Sequence, residues 1–95
     1  MKYINENYKY FSTSNFYCAV FLSIKGLQLI NIDWTNSSRA QFVFIDIPER
    51  EELIKQFNYS EKNFPAVMVD AREYETAVKL LKDRLYRTGG EHANS

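Results

Sequence analysis

The sequence has few of the residues that build common chemical sites. It contains one cysteine, Cys18, and one histidine, His92, among 95 residues. A single cysteine excludes an internal disulfide, and no group of His, Cys, Asp or Glu has the spacing of metal ligands. Nucleophilic catalysis needs a Ser, Cys or Thr beside a general base, yet the only histidine lies in a terminal segment without periodicity. The sequence therefore predicts no enzyme, no metal and no cofactor.

Charge of one sign and long apolar runs are also missing. Twelve basic and twelve acidic side chains cancel, so no global field attracts the chain to nucleic acid or to anionic lipid. The longest nearly uncharged apolar stretch, residues 16–24, is shorter than the roughly 20 residues that a membrane span needs. Residues 1–7 lack the apolar core of a signal peptide. These absences, together with the single thiol, predict a cytoplasmic location.

Aromatic side chains are the abundant component. Seven Phe, seven Tyr and one Trp are present, and each ring that is buried removes on the order of 150 to 250 Å² from water. A few such rings stabilise one small core without disulfides or metal. We expect one globular domain over residues 1–87, followed by a disordered tail over residues 88–95, where periodicity ends.

Hydrophobic spacing predicts the order of the elements. A helix over Phe16–Ile24 ends before Gly26, strands at 27–35 and 39–46 form a hairpin, and a second helix covers residues 48–57. A third short strand is predicted at 66–69, able to pair at either edge of the hairpin. Asp70 and Glu73 have the spacing of a capping box that starts a final helix. The order αββαβα predicts a two-layer α+β fold, with a small antiparallel sheet packed against three helices.

Excess apolar surface is the main functional indication. The first helix is apolar nearly all round, and the hairpin is apolar on both faces. Either the helices bury all of these side chains within one chain, or part of them contacts a partner. We favour a protein-binding or self-associating module, and we expect Phe21, Leu22, Trp34 and Val43 to form the contact.

Nucleic-acid binding is the alternative. Lys9 and Tyr10 belong to a segment that alternates cations with rings, a mixture suited to phosphates and unpaired bases. Four more cations crowd the end of the final helix: Lys79, Lys82, Arg84 and Arg87. Cations at a helix C-terminus also interact favourably with the helix dipole, which needs no ligand.

Several short motifs, in their order, resemble a family of small prokaryotic domains of unknown function that also occurs in phages and other mobile elements. The resemblance extends from Tyr10 to Tyr86. The motifs are Tyr10-Phe11-Ser12-Thr13-Ser14, the Ala19 to Leu22 helix ending in Lys25-Gly26, Phe42-Val43-Phe44, Val69-Asp70-Ala71-Arg72 and Leu81-Lys82-Asp83-Arg84-Leu85-Tyr86. It implies a link to phages or mobile elements, and it implies no activity, cofactor or catalytic residue.

Overall fold

Three helices and a three-stranded antiparallel sheet make up the computed structural model, which describes the backbone of residues 8–93 and the side chains of residues 8–88. The predicted α+β class is confirmed. In chain order the elements are β1 (Tyr10–Thr13), α1 (Phe16–Ile24), β2 (Leu29–Asp33), β3 (Gln41–Ile45), α2 (Arg50–Tyr59), a 3₁₀ turn (Pro65–Val67) and α3 (Ala71–Ala93). Residues 1–7 of the predicted domain and residues 94–95 of the predicted tail lie outside the described residues.

The third strand of the sheet comes from the start of the chain, which corrects the prediction of a strand at residues 66–69. The strand order is β1-β3-β2, and β1 pairs antiparallel with β3. Residues 65–67 instead form the 3₁₀ turn, in which the Val67 and Met68 amides donate to the carbonyls of Phe64 and Pro65. Proline has no N–H, and the amides of Val67 and Met68 are already hydrogen-bonded. The segment therefore has few N–H donors left to pair with a strand of the sheet.

One face of the sheet forms the core with the helices. Phe42 and Phe44 on the central strand are 2% and 0% exposed, and they belong to one buried cluster with residues of α1 and α3. A register shift between Leu29 and Asn31 places Leu29 opposite Phe44 and Ile32 opposite Phe42. Leu29 and Ile32 therefore share the helix-facing side, whereas strict alternation predicts opposite faces for them.

The first helix has the predicted bounds. The Asn15 side chain accepts a hydrogen bond from the Cys18 amide at 3.0 Å, which caps the start of α1. After the helix, Gly26 adopts φ = +106°, a region that a side chain disfavours, so glycine ends the helix as predicted. Five consecutive residues of α1, Cys18 to Leu22, are buried, which agrees with an apolar surface around most of the helix.

The last helix is longer than the sequence predicts. Asp70 starts it as expected, since its carboxylate accepts from the amides of Arg72 and Glu73. The backbone then stays helical to Ala93, through residues 88–93 of the predicted disordered tail. Each glycine in a helix costs only about 0.5 to 1 kcal/mol relative to alanine. The Thr88 hydroxyl accepts a hydrogen bond from the Trp34 indole. This contact supports α3 just before Gly89 and Gly90.

Candidate functional site

Three of the four side chains predicted to contact a partner are buried in the single chain. Phe21, Leu22 and Val43 are 6%, 0% and 5% exposed, so the prediction that they form a docking surface is wrong. Leu22 belongs to the buried cluster that α1 forms with the sheet and α3, and Phe21 packs on Phe57 with 5.3 Å between ring centroids. Val43 lies on the central strand, directly opposite Ser12 of β1 and Asn31 of β2.

Trp34 differs from the other three predicted contacts. It is partly buried against the core cluster, and its indole Nε1 donates to Thr88 Oγ1 at 2.9 Å. The Thr88 hydroxyl lies 2.9 Å from the Arg84 carbonyl oxygen, to which it donates. Trp34 also lines a surface groove.

The cations predicted at the end of α3 do not form one patch. Lys79 bonds to Glu75 at 3.1 Å and Arg87 to Asp83 at 2.6 Å. Arg84 lies on the inner side of the helix, where Nη1 is 3.4 Å from the Leu29 carbonyl oxygen. Most of these charges are therefore locally compensated.

Lys82 differs from the other three, since within the described part of the chain it takes part in neither an ion pair nor a side-chain hydrogen bond. Lys9 and Tyr10 do not line the groove that contains Lys82. Lys9 lines another groove together with Arg50, Asp46 and Glu51. Tyr10 pairs with Ile45 on the sheet.

Three side chains that could in principle take part in catalysis are hydrogen-bonded or buried. Asp46 accepts from Nε and Nη2 of Arg50, and that hydrogen bond lowers the pKa of the carboxyl group. Hydrogen bonds from the side chain and amide of Thr35 lower the pKa of Asp33. Burial raises the pKa of the Cys18 thiol, which disfavours the nucleophilic thiolate. Among residues 8–93, no group of three or more His, Cys, Asp or Glu residues could hold a metal ion.

A surface cavity of about 710 Å³ lies between the end of α1 and the start of α3. Two of its three charged lining residues already contact each other, because Asp70 caps the helix and lies 3.6 Å from Nε of Arg72. Size alone therefore does not make it the best candidate.

A second recess has a uniformly uncharged lining. This apolar groove, about 220 Å³, is formed by α1, α2, the segment around the 3₁₀ turn and the start of α3. Its floor contains the Phe21 and Phe57 pair, and its other lining residues are Tyr17, Ile24, Val67, Val69 and Tyr74. Tyr17 and Tyr74 are 58% and 38% exposed, and Met68, between two lining valines, is 55% exposed. The sequence assigned Tyr74 to the apolar face of the last helix, and nothing in the pattern marked Met68.

A third recess combines rings with cations. This aromatic–basic groove, about 440 Å³, lies between the start of α1, the turn between β2 and β3, and the second half of α3. Trp34, Tyr86, Arg39 and Lys82 are among its lining residues. Sequence reasoning identified Trp34 and Lys82 for different hypotheses. It missed Arg39 and Tyr86, because only the fold brings residues so distant in sequence together.

The topology and the absence of assembled catalytic groups in the described residues define a small α+β domain with surface grooves. A family model described as Domain of unknown function (DUF5659) matches residues 8–87. The chain belongs to this family, which agrees with the resemblance to an uncharacterised domain family. No curated protein and no solved structure matches the chain. None of the helices in the described range combines the length and the apolarity needed to cross a bilayer.

Proposed function

We propose that this chain is a non-enzymatic protein-binding module that self-associates through the apolar groove. The observation that carries the proposal is the exposure of Tyr17 and Tyr74, two lining residues of a recess with no charged lining residue. Aromatic residues and methionine are enriched in interface cores, where charged residues are depleted. An exposed apolar cluster of this kind is typical of an interaction surface.

The shape of this surface supports association between identical copies. In a two-fold dimer the same patch meets itself, so the patch must offer both a recess and side chains to fill it. The Phe21 and Phe57 floor supplies the recess. Tyr17 and Tyr74 supply side chains that line the groove and are partly solvent-exposed in the single chain.

The remaining parts of the proposal concern context. The chain works in the cytoplasm, where a buried free thiol such as Cys18 stays reduced. It belongs to the biology of phages or other mobile elements, as the sequence resemblance implies. The absence of catalysis is supported by the engagement of Asp33 and Asp46 with their own neighbours. Genomic neighbours of the coding region test the mobile-element link, and a consistent housekeeping context would contradict it.

Sedimentation velocity tests self-association directly. We expect the mass to rise from 11.2 kDa toward twice that value between about 1 and about 300 µM protein, the range in which modest homodimers form. Tyr17→Glu and Tyr74→Glu, which both change exposed residues that line the groove, should each keep the protein monomeric, because a buried unpaired carboxylate opposes association.

Leu80→Glu is the matched control. Leu80 is 60% exposed on α3 but does not line the apolar groove, so this variant should associate like the wild type. A single 11.2 kDa species at every concentration, or equal weakening by all three variants, would contradict the proposal.

A further inference from the structure

The aromatic–basic groove shares only Tyr17 with the apolar groove. Its walls come from three parts of the chain that are distant in sequence. Phe16 lies at the start of α1, Arg39 follows the turn after β2, and Lys82 and Tyr86 lie on α3. A volume of about 440 Å³ falls within the roughly 300 to 1,000 Å³ of ligand sites.

The groove has a positive charge that no acidic side chain of residues 8–88 neutralises. Arg39 and Lys82 both line it, and no Asp or Glu is among the lining residues. Neither cation takes part in an ion pair in the described part of the chain. Lys79 on the same helix is instead bonded to Glu75. In a chain with no net charge, two uncompensated cations in one recess favour an anionic ligand.

Ring faces supply the second half of the site. Phe16, Tyr17, Trp34 and Tyr86 line the groove together, and Tyr86 is 68% exposed. The hydrogen bond from Trp34 to Thr88 holds the indole in place, so stacking a planar ligand on it needs little ordering of the protein. An acidic peptide would use the cations but not this concentration of rings, whereas a nucleotide has both a phosphate and a planar base.

We propose that the aromatic–basic groove binds a nucleotide unit of a single-stranded nucleic acid, with its phosphate at Arg39 and Lys82 and its base against Trp34 and Tyr86. The groove is open to solvent along the surface, so a strand can enter it without threading. A free nucleotide has the same chemistry, and the experiment separates these two sources. A duplex keeps its bases stacked on each other, which makes them unavailable to these rings.

The only tryptophan of the chain lies in the groove, so its fluorescence reports on the site directly. We would titrate the protein with a twelve-nucleotide oligothymidylate, with thymidine monophosphate, with the corresponding duplex and with polyglutamate. The oligonucleotide should quench Trp34 and bind at least about 10-fold more tightly than the other three. Thymidine monophosphate lacks the neighbouring phosphates of a strand, the duplex keeps its bases stacked on each other, and polyglutamate has no base to stack on the rings. If thymidine monophosphate bound as tightly as the oligonucleotide, the proposal that the ligand is a single-stranded nucleic acid would be overturned. If polyglutamate bound as tightly, the proposed contact between a base and the aromatic rings would be overturned.

Variants locate the binding in the groove. Arg39→Gln and Lys82→Gln should each weaken oligonucleotide binding and lower its salt slope by about 0.7, as expected for one lost phosphate contact on a single strand. Tyr86→Ala should weaken binding roughly 5-fold to 150-fold through lost stacking, with an unchanged salt slope.

Lys79→Gln is the matched control, because it removes a cation of α3 that does not line the groove. It should bind like the wild type. Absence of Trp34 quenching, or equal effects of Lys79→Gln and Lys82→Gln, would overturn the proposal. Circular dichroism of each variant verifies that the fold is intact, and the exposed position of Tyr86 makes Tyr86→Ala the variant least dependent on folding.

Discussion

Replacing Leu22 by alanine tests whether this side chain belongs to the core or to an interface. Leu22 lies in the middle of α1, has no exposed surface and packs in the cluster that contains Phe42 and Phe44. Removing a fully buried leucine side chain costs about 2 to 5 kcal/mol, from lost transfer free energy and from the remaining cavity. A domain of 95 residues has a total stability of roughly 5 to 14 kcal/mol, so the loss is a large part of it.

The assay is urea unfolding followed by circular dichroism, which measures the free energy of unfolding of the two proteins. We expect Leu22→Ala to lower it by about 3 kcal/mol, equivalent to a fall in Tm of roughly 12 to 24 °C for a domain of this size. Since the contacts are internal, the loss should be the same at low and high protein concentration.

Leu80→Ala is the control, because it is the same chemical change on an exposed surface of α3, where Leu80 is 60% exposed. It should change stability by less than about 0.5 kcal/mol. Similar losses for Leu22→Ala and Leu80→Ala would refute the burial argument. If Leu22→Ala lowered the free energy of unfolding only at concentrations where the chain associates, Leu22 would belong to an interface between copies.

Three further predictions concern single groups. Arg50 lowers the pKa of Asp46 in the folded state. The pair therefore stabilises the fold above the unfolded pKa of about 3.9, and this contribution is lost as pH falls through the folded pKa. In urea unfolding, Asp46→Asn should lower the free energy of unfolding by about 1 kcal/mol at neutral pH; this loss should shrink as pH falls below about 3.9, and a loss independent of pH would contradict the linkage. Burial raises the pKa of Cys18, so Ellman's reagent should modify the native thiol at least about 100-fold more slowly than the denatured one, and equal rates would show that the site is open. The Ser23 hydroxyl is buried without a hydrogen-bond partner in the described structure, so Ser23→Ala should raise the free energy of unfolding by about 0.5 to 1 kcal/mol in the same urea assay, and a destabilised variant would reveal a missing partner.

Local sequence patterns predicted the elements that depend on neighbouring residues. The start of α1 at Phe16, its end before Gly26 and the Asp70 cap of α3 all follow from backbone conformation and short-range hydrogen bonds. The hairpin follows in the same way, although its register shift near Leu29 was not visible in the alternation. The α+β class results from the order of these elements.

Tertiary structure decided the assignments that depend on residues far apart in the chain. Residues 10–13 form the third strand because they pair with the free edge of β3. The strand predicted at residues 66–69 is replaced by the 3₁₀ turn that begins at Pro65. α1 and β3 do contain more apolar side chains than one face needs. Only the packing shows that two of them, Leu22 and Val43, are buried within the chain itself. Periodicity counts apolar side chains along one element, and it contains no information about what covers them.

The candidate site shows the same division. The sequence contains the cations and rings, but spacing could not tell that Lys79 and Arg87 are paired while Lys82 is not. Nor could the spacing predict that Arg39 and Tyr86 line the same groove. Composition and local pattern thus determined the class of fold and the chemistry available on it, whereas the selection of residues that meet at one surface required long-range contacts. Those contacts are set by the packing of helices on the sheet, a property of the whole chain rather than of any segment.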